Sequence, residues 1–233
     1  MLRASSAQSR FSARSAPAID LGIVVAFFLA SSIAEPILDP VLRRGHGFSG
    51  VLALAAYQFV CEGLALVVIL ALRHERPSSY GFTRYKALPS LSLGMLFAII
   101  YDLALSYHAG ALLWIPLRRQ PATRMSLATS VPISAVGLAV TVTVWGLVEA
   151  FFGVFFARKL NDALRHDGHG WMAPGALGFA LFNGMIHFAI GQGMEGFVFS
   201  LASGYAIAVI PALTQNAWGS ALVQTLTNAV GGL

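Results

Sequence analysis

Val144 to Leu160 reads V-W-G-L-V-E-A-F-F-G-V-F-F-A-R-K-L. This is an apolar helix with Glu149 in its interior and Arg158 and Lys159 closing its end. A carboxylate in hydrocarbon costs about 2.5–3.5 kcal/mol on insertion scales. Glu149 must therefore face a bundle interior or a wet cavity, and it requires a partner. His187, Gln224 and Asn228, all on later apolar segments, are the candidates.

The rest of the chain agrees with a membrane setting. Of 233 residues, 57% are hydrophobic and 11% charged, where a soluble domain carries about 25% charge. Mean hydropathy is +0.71. The single cysteine, Cys61, excludes an intrachain disulfide and reads as packing within an apolar run. A net charge of +5 does not point to nucleic acid. The basic residues fall in short polar gaps between apolar runs, which is a topology pattern, whereas nucleic-acid binding needs a basic face.

Residues 1–17 form a Ser- and Arg-rich tail with no acid, a composition shared by transit peptides and cytoplasmic flanks. No signal peptide is expected, because no compact apolar run precedes a cleavage site. Residues 18–233 then read as one all-α, polytopic transmembrane bundle of about seven helices. The apolar segments fall near 18–38, 50–72, 89–115, 132–157, 174–191, 194–211 and 215–232, each near the roughly 20 residues that cross hydrocarbon. Pro89, Pro116, Pro132, Pro174 and Pro211 punctuate their boundaries. With the N-terminus inside, inner segments hold Arg3, Arg10, Arg14, Arg73, Arg76, Arg84, Lys86, Arg158, Lys159 and Arg165. Outer segments hold Arg43, Arg44, Arg118, Arg119 and Arg124. This bias predicts a cytoplasmic N-terminus and a C-terminus on the opposite side.

Counting at 1.5 Å per residue places Glu149 roughly 12 Å deep, Gln224 roughly 14 Å and His187 roughly 20 Å, with Asn228 one turn beyond Gln224. A cluster is geometrically possible. A buried Glu can take a proton from water. A neighbouring His can orient that water or share a divalent metal, and amide hydrogens of Asn or Gln can stabilise an oxyanion. Interhelical hydrogen-bonding glue is the competing reading of the same residues.

The last third carries a resemblance. G-Y-A-I-A-V-I-P-A-L-T-Q-N-A-W-G-S-A-L-V-Q-T-L-T-N-A is similar to the end of the CPBP (CAAX protease and bacteriocin-processing) intramembrane proteases. Gly204, Thr214, Trp218, Gln224 and Asn228 stand at that family's spacing. V-E-A-F-F-G resembles its E-E-x-x-F-R-G helix, with Glu149 as the second Glu and Phe152 as the Phe. L-F-N-G-M-I-H-F resembles its F-x-x-x-H helix and supplies His187. S-S-Y-G-F-T-R resembles its short basic connector. The resemblance covers about 78–230 and implies a CPBP-like core in which Glu149 activates water against a membrane peptide. In that scheme His187 is the partner or metal ligand, and Asn228 with Gln224 are amide donors. Four positions depart from the pattern. Val148 replaces the first Glu, Gly153 the Arg, Asn183 the Phe and Gln224 a His, and Gln cannot act as a base. Two functions stay open: an intramembrane endopeptidase with impaired or altered activity, and a non-catalytic structural or assembly subunit of a membrane complex holding lipid or pigment. Membrane lipid and other membrane subunits are the expected partners.

Other features weigh less. Glu35 and Glu62 are further intramembrane carboxylates, read as paired with polar groups or near an interface rather than as an ion path. Tyr101, Asp102 and His108 read as a polar lining or outer anchor. H-D-G-H-G at 166–170 is a loop whose two His could touch metal, but it reads first as a solvated turn. G-Q-G-M-E-G at 191–196 follows no strand and joins two membrane helices, so it is a tight turn and no nucleotide site. The only lysines, Lys86 and Lys159, sit at inner boundaries, which excludes a retinal Schiff base. Transport ranks last, because the paired interrupted helices of transporters are not evident.

Overall fold

The computed structural model describes residues 16–32, 47–110 and 131–227, and all its regular structure is helical. Seven helical arms succeed one another among the described residues. Helix α1 is Ala16–Ser32. Helix α2 runs Gly47–Gln58, through a π-turn at Phe59–Leu64, to Ala65–Arg73. Helix α3 is Ala87–His108. Helix α4 runs Val131–Val140, through a π-turn at Thr141–Val148, to Glu149–Leu164. Helix α5 is Pro174–His187 with a π-turn at Phe188–Gln192, α6 is Gly193–Thr214, and α7 is Trp218–Thr227.

Four stretches are long and apolar enough to cross a membrane: Phe48–Arg73, Ala87–His108, Pro132–Leu164 and Pro174–Thr214. They mark the chain as an integral membrane protein. The fourth is 41 residues long and is two arms. Gly191 (φ 90°) and Gly193 (φ 66°) adopt the positive φ that L-residues avoid, and the chain doubles back there. Asn183 of α5 then donates from Nδ2 to the Ser200 carbonyl of α6 at 2.7 Å. Large apolar side chains such as Leu72, Leu88 and Met185 remain exposed around the bundle and meet lipid.

Three boundaries differ from the sequence reading. Helix α3 ends at His108, with Ala109 and Gly110 turning away, rather than near 115. The fourth segment continues to Leu164 because its last turns stay half in the bundle, with Lys159 and Asn161 buried. Lys159 is thus no boundary anchor: it is 4% exposed. Pro211 lies inside the last turn of α6 rather than ending it, and its carbonyl accepts the Gln215 N–H at 2.8 Å.

One end of the bundle gathers the start of α1, the 74–86 connector, the 165–173 loop and the 215–217 turn. A charge network centred on buried Asp20 and Lys159 ties it together. Arg73 grips Asp20 with Nη2 and Nε at 2.7 and 3.0 Å. Lys159 Nζ donates to Asp20 at 3.1 Å and to Glu75 at 2.7 Å. The Tyr80 hydroxyl donates to Glu75, while its ring stacks on Phe155. Beside this network, fully buried Asn216 donates to the carbonyls of Thr83 and Tyr85 at 2.8 and 2.7 Å and accepts the Trp218 N–H at 3.0 Å. The T-Q-N-A-W turn is thereby locked onto the G-F-T-R-Y connector, which fixes where α7 enters the bundle. At the other end, His108 of α3 faces Glu195 of α6 at 3.2 Å.

Candidate functional site

Helix α7 approaches α4 at Gly146, where a Cβ would collide with Thr225. The missing side chain lets the preceding residue of α7, Gln224, reach Glu149, and Gln224 Nε2 donates to Glu149 Oε2. Across the site, Gln58 of α2 donates from Nε2 to Glu149 Oε1 at 3.1 Å and to Glu62 Oε1 at 2.6 Å. Glu149 is therefore held by amides from two other helices, and a second carboxylate shares one of them. Neutral amides stabilise a carboxylate in a low-dielectric interior without adding a charge.

These side chains line a cavity of about 220 Å³. Its apolar wall is Phe28, Phe152, Phe179 and Phe182, with Phe28 packed on Phe152 at 5.1 Å between ring centroids. Its polar wall includes Gln58, Glu62, Glu149, Gln224, His187 and Gln192. His187 hydrogen-bonds through Nδ1 to Gln192 Oε1 at 2.8 Å. An amide oxygen only accepts, so Nδ1 carries the proton and Nε2 is left as the acceptor nitrogen.

The three π-turns among the described residues border this cavity. Glu62 lies within the first, Glu149 directly follows the second, and the third starts directly after His187 and ends on Gln192. A π-turn inserts one extra residue and re-aims the side chains around it, and such turns occur frequently at functional sites.

Of the residues singled out in the sequence, Glu149 and Gln224 are hydrogen-bonded to each other and His187 lines the same cavity. Asn228 and Glu35 lie outside the described residues. Spacing did not reveal Gln58, nor did it bring Glu62 to the site. The one available signal was that Glu62 is a carboxylate in an apolar run, with Gln58 one turn before it. Two of the four positions that depart from the resembled motif have a definite setting. A Cβ at Gly153 would lie 2.9 Å from Ile207 Cγ2, so no Arg fits there. Asn183 lines the cavity and also ties α5 to α6 through Ser200, and Phe182 supplies an aromatic ring one residue earlier.

Among the described residues, no group of three or more His, Cys, Asp or Glu converges to hold a metal ion. With His187 Nδ1 engaged by Gln192, the described residues do not build a metal cage around His187. A second cavity, near 310 Å³, lies at the network end between Tyr80, Arg158, Asp162, His169 and Gln215. Its carboxylates and imidazole include the 166–170 turn, where Asp167 accepts the backbone N–H of His169 at 3.1 Å. That hydrogen bond holds the Asp167 carboxyl below its ordinary value. No protein-family model, curated protein or solved structure matches the chain.

Proposed function

We propose that the chain is a divergent intramembrane endopeptidase of CPBP type. It is a bundle of about seven spans whose network end faces the cytoplasm. The observation supporting this reading is the position of Glu149, on the wall of an amphiphilic cavity and oriented by amides of Gln58 and Gln224. A carboxylate offers about four acceptor positions, so two amides orient it without exhausting its capacity to take a proton. In the reaction, Glu149 removes a proton from water as the water oxygen adds to a peptide carbonyl. The N–H of Gln224 then meets the oxyanion, and Nε2 of His187 orients the water. The Phe wall holds the apolar flank of the substrate.

A second reading has its own support. The Gln224–Glu149, Gln192–His187 and Asn183–Ser200 bonds each satisfy a polar group inside the bundle, as interhelical glue does. On that reading the chain is a non-catalytic subunit of a membrane complex. Wild type and Glu149→Gln, reconstituted in nanodiscs with a library of single-span membrane peptides, separate the two. The protease reading expects cleavage that is lost in the folded variant. Cleavage unchanged by the substitution removes it. Stoichiometric partner subunits after gentle purification, together with no cleavage, would establish the second reading.

A further inference from the structure

We propose that Glu62 is a second catalytic carboxylate, the general acid to Glu149's base; this rests on the protease reading above. Three observations carry it. Glu62 is 7% exposed yet lines the same cavity as Glu149. One NH₂ group, that of Gln58, donates to both carboxylates, at 2.6 and 3.1 Å. The α2 face next to Glu62 also packs on the α4 turn that precedes Glu149. A Cβ on Gly63 would lie 3.2 Å from Val148 Cγ1, so helix α2 delivers a carboxylate beside the position where α4 carries a valine.

Two anions clamped by one amide in an apolar bundle repel each other, and a single proton on the pair removes one of the charges. Glu149, accepting from both Gln58 and Gln224, keeps the charge, and Glu62 holds the proton. The reaction then balances within the pair. Glu149 takes one proton from water, and the water oxygen bonds to the carbonyl carbon. The C–N bond breaks with its electron pair on nitrogen, and nitrogen receives the proton of Glu62. The new acid keeps the second water proton. Transfer of the proton from Glu149 to Glu62 restores the starting state. A pair of carboxylates split between acid and base roles is a recurrent hydrolytic arrangement.

The test uses the full chain in nanodiscs, as wild type, Glu62→Gln, Glu62→Asp, Glu149→Gln and, as a control for another buried carboxyl, on α3, Asp102→Asn. Infrared spectra report protonated carboxyl groups without any substrate. The expected result is a carboxylic-acid C=O band that survives Asp102→Asn and disappears in Glu62→Gln. In peptide cleavage, Glu62→Gln lowers kcat by about 10²–10⁴-fold at unchanged KM, the range for loss of an acid–base group, and Glu62→Asp recovers part of it. If wild type cleaves but the band or the turnover ignores Glu62→Gln, the proposal falls alone. If wild type cleaves nothing, the protease reading falls and takes the acid role with it.

Discussion

Replacing Lys159 by Met removes the cation at the centre of the network that pins α1 to the bundle. Its ammonium is buried and reaches Asp20 at 3.1 Å and Glu75 at 2.7 Å. Removing one partner of a buried ion pair costs about 3–5 kcal/mol, because the other charge is left uncompensated. Asp20, with only 3% of its side chain exposed, keeps the two-pronged grip of Arg73. Glu75 is more open and keeps Tyr80 as a donor. Both effects place the loss at the lower end, about 3 kcal/mol. Denaturant unfolding in mixed micelles, followed by tryptophan emission, measures it. Adding Asp20→Asn removes a carboxylate that has lost one of its two cations, so the double variant should be more stable than additivity predicts, by about 1–3 kcal/mol for groups in one network. A loss below about 1 kcal/mol, within the range of exposed pairs, or strict additivity, would refute the claim that this network is buried at its centre and coupled.

Three further outcomes follow from the same end of the molecule and from the α3–α7 contact. Asn216→Ala strips one donor each from the Thr83 and Tyr85 carbonyls and the acceptor from Trp218 N–H, while the Thr83 carbonyl keeps the Trp218 Nε1–H; with part-exposed partners it should lower stability by about 1–3 kcal/mol, read by thermal unfolding. Gly219→Ala drives a methyl into the backbone of Ser90, and Gly94→Ala brings one within 2.8 Å of Gly219 Cα. Backbone cannot rotate away, so each should cost about 1–3 kcal/mol, whereas Gly22→Ala, with open space around it, should cost almost nothing. The Tyr80 phenol is pushed above its ordinary value by burial and then by its bond to Glu75. The raised value means that its contribution holds below the ordinary phenol range near ~10 and is lost as pH rises beyond it. Unfolding measured from neutral to alkaline pH should show this decline in wild type and a weaker one in Tyr80→Phe.

Much of the helical frame was legible because apolar length and Gly/Pro punctuation are local signals. The α5–α6 reversal at Gly191–Gly193 could be read from G-Q-G alone. Glu149 could be marked as needing partners from its cost in hydrocarbon, and Gln224 from its depth on a later helix. Glu62 could not be brought to the site by the same reasoning. It lies on a helix 87 positions earlier in the chain, and periodicity specifies faces within a helix, not which faces meet. Lys159 was read as a boundary marker because Lys after an apolar run commonly is one. Only the tertiary arrangement supplies Asp20 and Glu75, from two other segments, and makes its burial tolerable. Asn216 gave no signal beyond a polar turn, since its value lies in the carbonyls of a connector more than 130 residues away.

The central claim is that Glu149 activates water against a peptide bond inside the membrane. Cleavage of single-span peptides by wild type and Glu149→Gln in nanodiscs made up in heavy-oxygen water, with mass spectrometry of the new C-termini, tests it most directly. The account predicts products from wild type carrying one heavy oxygen at the new carboxylate, and none from a folded Glu149→Gln variant. Equal, labelled cleavage by both proteins would contradict it.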